Sequence, residues 1–444
     1  MTDVLVYFLF FCFLFVLFFK SSEYRYTILF LGTILFPPVL AFTDSPYLSP
    51  QNIFLYTFFC VEIIKNYQQV KQAFFSFPLK TPLLLIFGSY IATILWNDGA
   101  SIRLFYTVSR LFIESYGYLF AAFIVGREFK IDTILNKLYI PIIIFSVFGI
   151  IEGVLNANYP YKIICSAFPI YDGYYNLNSD ISLSKAWRIR TCFTTKHPTA
   201  FGTLLTSLIL LYIPQIKSHK WKASRLILLF GLLGINLFLC GSRTALLCSI
   251  LGISLWLIRS VPLSLRIISV GIFLIASSTY VNSVVNHFSE ETRGSSITLR
   301  QEQLLFSYIQ VIKSPVFGNG TGYTSKKIFE KDAYGDRIKD SSIGGLESIV
   351  FFTLIDYGIF GLFAYYLLYV WIALIFFRLR KISPEAISGL IITISAIMFF
   401  SLSGNMGNAS SFVYLILGLQ LSECMNLKQK ETQEQIKISE TPQV

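Results

Sequence analysis

Long apolar runs separated by short polar links recur along the whole chain. Many reach about 17 residues or more, enough for a helix to cross roughly 30 Å of hydrocarbon. The pattern predicts about thirteen helices. The first ten fall near 2–19, 26–42, 51–65, 81–96, 104–125, 137–154, 199–215, 225–240, 243–259 and 263–280. The last three fall near 347–377, with a break, and near 387–402 and 409–422. The third is short, either tilted or partial. The first run lacks a basic leader and a clean small-residue cleavage site, so it reads as a span and not as a signal peptide. The expected class is an all-α polytopic membrane protein with about 12–14 transmembrane helices. Residues 1–422 would form a single transmembrane domain, with 423–444 as a tail.

Composition strengthens this picture. Of 444 residues, 54% are hydrophobic and only 14% are charged. That charged share is about half of what a soluble globular chain carries. The formal charge of +11 does not point to nucleic acid, because the basic residues gather in short links between apolar runs. Such clustering sets orientation. Lys217, Lys220, Lys222 and Arg225 form one basic link without an acid, and Arg378, Arg380 and Lys381 form another. Both are expected on the cytoplasmic side, together with the tail, and counting helices between them agrees. Two longer segments then fall outside: 155–198, and the large loop 281–346 between the tenth and eleventh spans. The N-terminus comes out external.

Within the large loop, "SITLRQEQLLFSYIQVIKSP" (296–315) has an amphipathic pattern that predicts a helix lying along the membrane surface. "FGNGTGY" (317–323) and the polar run after it read as irregular or mobile chain. The glycines lack the Gly-Lys-Ser/Thr ending and preceding strand of a phosphate-binding loop, so an ATP site is not expected. Seven cysteines show no metal-ligand spacing. Cys165 and Cys192 share the external segment 155–198, where either a disulfide or two free thiols are compatible with the sequence. No metal and no cofactor are expected.

The candidate chemistry lies in charged residues at span ends. In "FLCGSRTALL" (238–247), Gly241 permits a sharp turn, Ser242 can cap the following helix, and Arg243 stands at the external rim. Arg243 could merely snorkel to the interface, yet the outer ends of the spans are otherwise sparing with positive charge. Arg188 and Arg190 point the same way on an extended chain, just before His197 and Pro198 open the seventh span. The bland alternatives are lipid headgroup contacts for the two arginines and local capping for His197. Arg300 adds a guanidinium on the surface helix. Arg103 stands near the outer end of the fifth span. Outward-facing guanidiniums suit a membrane-tethered polyanion, because each fork binds two oxygens at once. A lipid pyrophosphate is the natural candidate.

Three acidic positions complete the set. Glu347 precedes the eleventh run, where it could take a proton from a hydroxyl or simply meet the helix dipole. Burial would raise its pKa and adjacent arginines would lower it. Asp356 lies inside the run and needs a partner, whether an arginine or a helix terminus. Arg110 and Glu114 form an i,i+4 pair inside the fifth span, either for packing or for lining a cavity. Glu62 and Glu152, near span ends, are less informative.

Four pieces in order resemble the bacterial O-antigen polymerase and O-antigen ligase superfamily: "RTCFTTKHPTAFG" (190–202), "GSRTALL" (241–247), "LRQEQLLFSYIQVIKSPVFGNGTGY" (299–323) and "ESIVFFTLIDYGIFG" (347–361). The resemblance covers about 80–420. It implies a GT-C-type glycosyltransferase in the cytoplasmic (inner) membrane, working on its external, periplasmic side. The implied substrate is an undecaprenyl-pyrophosphate-linked oligosaccharide, joined into O-antigen, capsule or a related surface polysaccharide. A chain-length regulator and a flippase are the implied partners. The family's functional arginines map to Arg190, Arg243 and Arg300, with Arg188 adjacent to the first. Family ligases carry a His-Asn pattern after the large loop, where this chain has Glu347–Ser348. That departure favours a polymerase over a ligase. The expected reaction is metal-independent and inverting: a hydroxyl helped by Glu347 attacks the anomeric carbon while the arginines stabilise the departing pyrophosphate. The rivals are a glycan ligase, which hands a finished glycan to a lipid or protein, and a non-enzymatic flippase for the same lipid-linked sugar.

Overall fold

The computed structural model describes residues 2–37, 40–44, 47–97, 101–168, 184–185, 188–195, 197–216, 221–258, 296–324, 348–404 and 409–440. Within them the chain is helical, apart from two minimal antiparallel hairpins, β1 (Thr43–Asp44) with β2 (Tyr47–Leu48) and β3 (Ser184–Lys185) with β4 (Arg188–Ile189). The first eight helices are α1 (Thr2–Phe19), α2 (Ser22–Leu35), α3 (Pro50–Lys65), α4 (Tyr67–Ser76), α5 (Lys80–Asn97), α6 (Ile102–Glu128), α7 (Ile131–Leu155) and α8 (Tyr159–Ala167). The remainder are α9 (Pro198–Tyr212), α10 (Ala223–Cys240), α11 (Arg243–Ile258), α12 (Ser296–Lys313), α13 (Ile349–Leu379), α14 (Pro384–Ser403) and α15 (Ala409–Glu440).

Local sequence explains where several helices start. Ser49, His197 and Ser383 each cap a helix with a side-chain acceptor, and a proline follows at the first helical position. Proline fits there because its missing N–H would have been an orphan.

Among the described residues, six helices are long and apolar enough to cross a membrane: α6, α7, α9 extended to Ile216, α10, α13 and α14. A seventh span results if α4 and α5, bent by 85° at their junction, count as one. The apolar pattern alone gave about thirteen candidates by the length rule, and the difference is mainly one of length. Helices α2, α3 and α11 occupy expected runs but have 14, 16 and 16 residues, and the apolar helix Asp3–Phe19 within α1 also falls below the 18 residues of α10, the shortest counted span. At 1.5 Å per residue α2, α3 and α11 measure about 21–24 Å, short of roughly 30 Å of hydrocarbon. The run near 263–280 lies outside the described residues. The expected boundary at 422 is crossed by α15, whose buried first half continues into an exposed polar half. Glu, Lys and Gln are good helix formers and let it run on into water.

The core centres on α9, buried at every position, and on the first half of α15. Helix α15 packs most extensively on α6. Small residues four apart allow this. Gly418 and Ser422 face Ala122 and Gly126, and a Cβ on Gly418 would lie 2.3 Å from the Leu119 carbonyl oxygen. Such close backbone approach is how helices gain contact where lipid supplies no hydrophobic drive. The outside is also apolar: Phe8, Phe11, Ile140, Ile144, Ile227 and Phe363 are exposed. A large apolar exterior on a bundle of spanning length is a lipid-facing surface.

Candidate active site

The turn between α10 and α11 is built from three residues. Gly241 adopts φ 58° and ψ 24°, a left-handed C-cap that ends α10. Ser242 Oγ accepts from the Ala245 amide at 3.4 Å and opens α11. Arg243 is the first residue of α11 and is exposed. The last carbonyls of a helix lack intrahelical donors. Here the 190–191 segment supplies them: Arg190 Nε donates to the Cys240 carbonyl at 3.0 Å, and the Thr191 amide donates to Leu239 at 3.4 Å. The Arg190 side chain crosses the bare face of Gly241, where a Cβ would stand 3.6 Å from Nε. Arg190 is therefore held against the turn that carries Arg243, 53 positions later in the chain.

The loop that delivers Arg190 is deeply set. Thr191, Cys192, Phe193, Thr194 and Thr195 are all buried. Glu152, in the last turn of α7, accepts the Cys192 amide at 3.0 Å and the Phe193 amide at 2.8 Å. Asn158 Nδ2 donates to the Phe193 carbonyl at 2.8 Å, and Thr194 Oγ1 donates to the Ile34 carbonyl at 2.5 Å. His197 Nδ1 accepts from the Thr199 amide at 3.1 Å, so this residue caps α9 and its other ring nitrogen carries the proton. Cys165 and Cys192 are both free thiols, which settles the alternatives left open above against a disulfide. Burial pushes the Cys165 thiol up to about 12. Burial, then the neighbouring Glu152 carboxylate, pushes Cys192 well above its usual value. Neither thiol is a nucleophile at neutral pH, since only the thiolate attacks.

The start of α13 reaches the same region through hydroxyls. Ser348 Oγ accepts from the Val350 amide at 3.2 Å and donates to the Ser401 carbonyl at 2.6 Å near the end of α14. Two residues on, Ser403 Oγ donates to Thr244 Oγ1 at 3.2 Å, next to Arg243. The α10–α11 turn, the end of α14 and the start of α13 thus share one end of the bundle. Glu347, the neighbour of Ser348, and the side chains of Arg188 and Arg300 lie outside the described residues; Arg188 falls on β4 and Arg300 on α12.

Asp356 sits in a second cluster, at a break in α13. Gly358 has φ 68° and ψ −167°, so the helix ladder fails there. An unbroken helix would pair the amides of Ile359 and Phe360 with the carbonyls of Ile355 and Asp356. The 315–320 segment inserts instead. Ile359 and Phe360 donate to the carbonyls of Pro315 and Val316 at 2.9 and 3.2 Å. The amides of Asn319 and Gly320 donate to Ile355 and Asp356 at 2.9 and 3.2 Å. Thr93 and Asn97 of α5 donate to the next two carbonyls, Phe317 and Gly318, at 2.7 and 3.0 Å. Asp356 Oδ1 then accepts from Thr324 through its amide at 2.8 Å and its hydroxyl at 2.5 Å. Of the two readings offered for 317–323, irregular or mobile, the structure shows the first. The segment is irregular, but every carbonyl from 315 to 318 is held by a neighbouring element. Its glycines serve this docking: a Cβ on Gly318 would lie 2.3 Å from the Asp356 carbonyl oxygen.

Other expected residues stand apart from the α10–α11 turn. Arg110 Nε lies 3.6 Å from Glu114, which also accepts the Tyr56 hydroxyl at 2.7 Å. Arg103 is exposed on the first turn of α6. A mostly apolar cavity of about 240 Å³ lies beside it between α5 and α6, lined by Ile91, Ile94, Leu95, Ser101, Ile102 and Phe105. Sequence reasoning passed over Glu152, Asn158 and Thr324. Glu152 carried one signal: an acid in the last turn opposes the helix dipole, so it needs donors from elsewhere.

No curated protein matches the chain. Residues 227–366 match the family model Wzy_C, described as O-antigen ligase. The matched stretch includes the α10–α11 turn with Arg243, all of α12 and the broken part of α13 with Asp356. This partial match, over 227–366 of 444 residues, supports the resemblance to the Wzy-like superfamily of O-antigen polymerases and ligases.

Proposed function

We propose that this protein is a membrane glycosyltransferase that joins undecaprenyl-pyrophosphate-linked oligosaccharide repeat units into a surface polysaccharide. It would work on the external side of a bacterial cytoplasmic membrane, with GT-C-type architecture. The observation that carries the reading is Arg190 held against the α10–α11 turn, the turn from which Arg243 opens α11. Guanidiniums placed where a pyrophosphate departs stabilise charge that grows in the transition state.

In the proposed step, a hydroxyl of one lipid-linked repeat attacks the anomeric carbon of another. The new C–O bond forms as the C1–O bond to pyrophosphate breaks, and the electron pair leaves with the pyrophosphate. The hydroxyl proton goes to Glu347. Attack opposite the leaving group inverts the anomeric centre. Arg300, on α12, would join the anion site from the large loop. Two membrane-anchored reactants need little further encounter entropy.

The family description favours a second reading, a ligase that transfers the finished glycan to a lipid or protein acceptor. One assay separates them. Purified protein given only a defined lipid-linked repeat should yield a ladder of oligomers. Product that forms only after a lipid-core or protein acceptor is added would assign the ligase. Transfer of the lipid across vesicles, with no new glycosidic bond, would overturn both.

A further inference from the structure

Glu152 has no part in the proposed bond-making, yet it is one of the most deeply buried acids described, 2% exposed. Its two carboxylate oxygens accept two consecutive amides, Cys192 and Phe193, at 3.0 and 2.8 Å. Consecutive amides converge on one carboxylate only if the backbone turns sharply between them. Directly after these two amides the chain turns again: Phe193 has φ 49°, a left-handed conformation unusual for a residue with a bulky side chain. Asn158, just beyond α7, closes the other side by donating to the Phe193 carbonyl. One residue before the clamp, Thr191 is fixed to Leu239, and Arg190, two before it, reaches Cys240.

We propose that Glu152 is a positioning residue: its carboxylate holds the 190–195 loop in the turn that lays Arg190 across Gly241, beside Arg243. The inference rests on the pyrophosphate role proposed for those arginines. A carboxylate is needed because it only accepts. In Glu152→Gln, the amide NH₂ would face one of the two backbone N–H groups, donor against donor, and the loop must turn away. Helix stability does not account for the residue, since the α7 terminus would prefer a cation.

The test uses the full-length protein in lipid nanodiscs, as wild type, Glu152→Gln, Arg190→Ala and the double variant. Two readouts are taken: turnover of a defined lipid-linked repeat, and amide exchange over 190–195 without substrate. Glu152→Gln should lower kcat about 100-fold, the scale of a misplaced group. It should speed exchange at Cys192 and Phe193. The double variant should be no slower than Arg190→Ala, because both changes remove the same group from the site. Asn158→Ser retains a capping side chain for α8 but loses the donor to Phe193, and should give a smaller loss that Arg190→Ala likewise masks. It carries the test if Glu152→Gln does not fold. Losses that multiply in the double variant, wild-type turnover in Glu152→Gln, or unchanged exchange would each overturn the proposal. Wild-type protein that forms no glycosidic bond would sink the enzymatic reading by itself. The exchange measurement would still decide whether Glu152 holds the loop.

Discussion

Gly358→Ala tests whether α13 is broken by design. The native residue has φ 68° and ψ −167°, a region essentially closed to residues with a Cβ. Holding alanine there costs about 1–3 kcal/mol. The added Cβ would also stand 2.3 Å from the Val316 carbonyl oxygen and 2.6 Å from the Gly318 nitrogen. Both are backbone atoms, so the inserted segment must withdraw. That forfeits at least the two bonds from Ile359 and Phe360, at about 0.5–1.5 kcal/mol each. The expected destabilisation is about 2–6 kcal/mol in total. Gly234→Ala is the matched control. Gly234 lies inside α10 with nothing within 4 Å of its would-be Cβ. The same chemical change there should be neutral or stabilising by up to about 1 kcal/mol. Thermal unfolding of the two variants in one detergent, with amide exchange at Asn319 and Gly320, reads the difference. A Gly358→Ala protein that melts with Gly234→Ala and keeps both amides protected would refute the reasoning.

Arg243→Ala should lower polymer formation by about 100- to 1,000-fold, as expected for removing one donor from a developing anion, while the protein still inserts normally. Turnover with lipid-linked repeat, alongside membrane yield, checks it. Glu347→Gln should reduce kcat more than donor binding, because a proton acceptor acts only in the chemical step; equal kinetics in the two proteins would remove Glu347 from that role. Cys165 and Cys192 should resist maleimide in the native protein and react promptly once it is denatured, without prior reduction. With the Cys165 thiol raised to about 12, its thiolate stays scarce through the neutral range and native labelling should rise only at strongly alkaline pH.

Helix positions were legible because each apolar run is a local property. The break in α13 was legible too, from Tyr357, Gly358 and Gly361 inside an otherwise apolar stretch. The number of spanning helices was not, since α2 and α3 end a few residues short of membrane thickness and boundaries are the weakest part of pattern reading. Partners were the least legible. An acid inside an apolar helix announces that Asp356 needs donors. Nothing local says that they come from Thr324, 32 positions earlier. Arg190 and Cys240 are 50 positions apart, and only the fold joins them. The loop at 317–323 was legible as irregular chain, but not its docking partner: Gly318 admits the backbone of α13.

The buried acids point to a division of labour. Glu62 pairs with Arg25 at 2.7 Å and also accepts Ser22 and Asn66. Glu114 takes Arg110 and Tyr56, Glu152 takes the 192–193 amides, and Asp356 takes Thr324. An uncompensated carboxylate among apolar helices would be expensive, so each of these is already committed to holding structure. Two of them, Glu152 and Asp356, hold the very segments that flank the proposed site: the loop bearing Arg190 and the chain that follows α12. A group whose oxygens are taken up by donors inside the fold is not placed to meet a substrate hydroxyl. Of the acids in the stretches that resemble the family, Glu347 directly precedes the Ser348 cap that ties the start of α13 toward Thr244 and Arg243. That is the reason to assign it the proton and to assign Glu152 and Asp356 the scaffold. The assignment predicts distinct signatures: exchange and stability should change on mutating the scaffold acids, with any loss of turnover accompanying them, whereas mutating Glu347 should change kcat with exchange and stability intact.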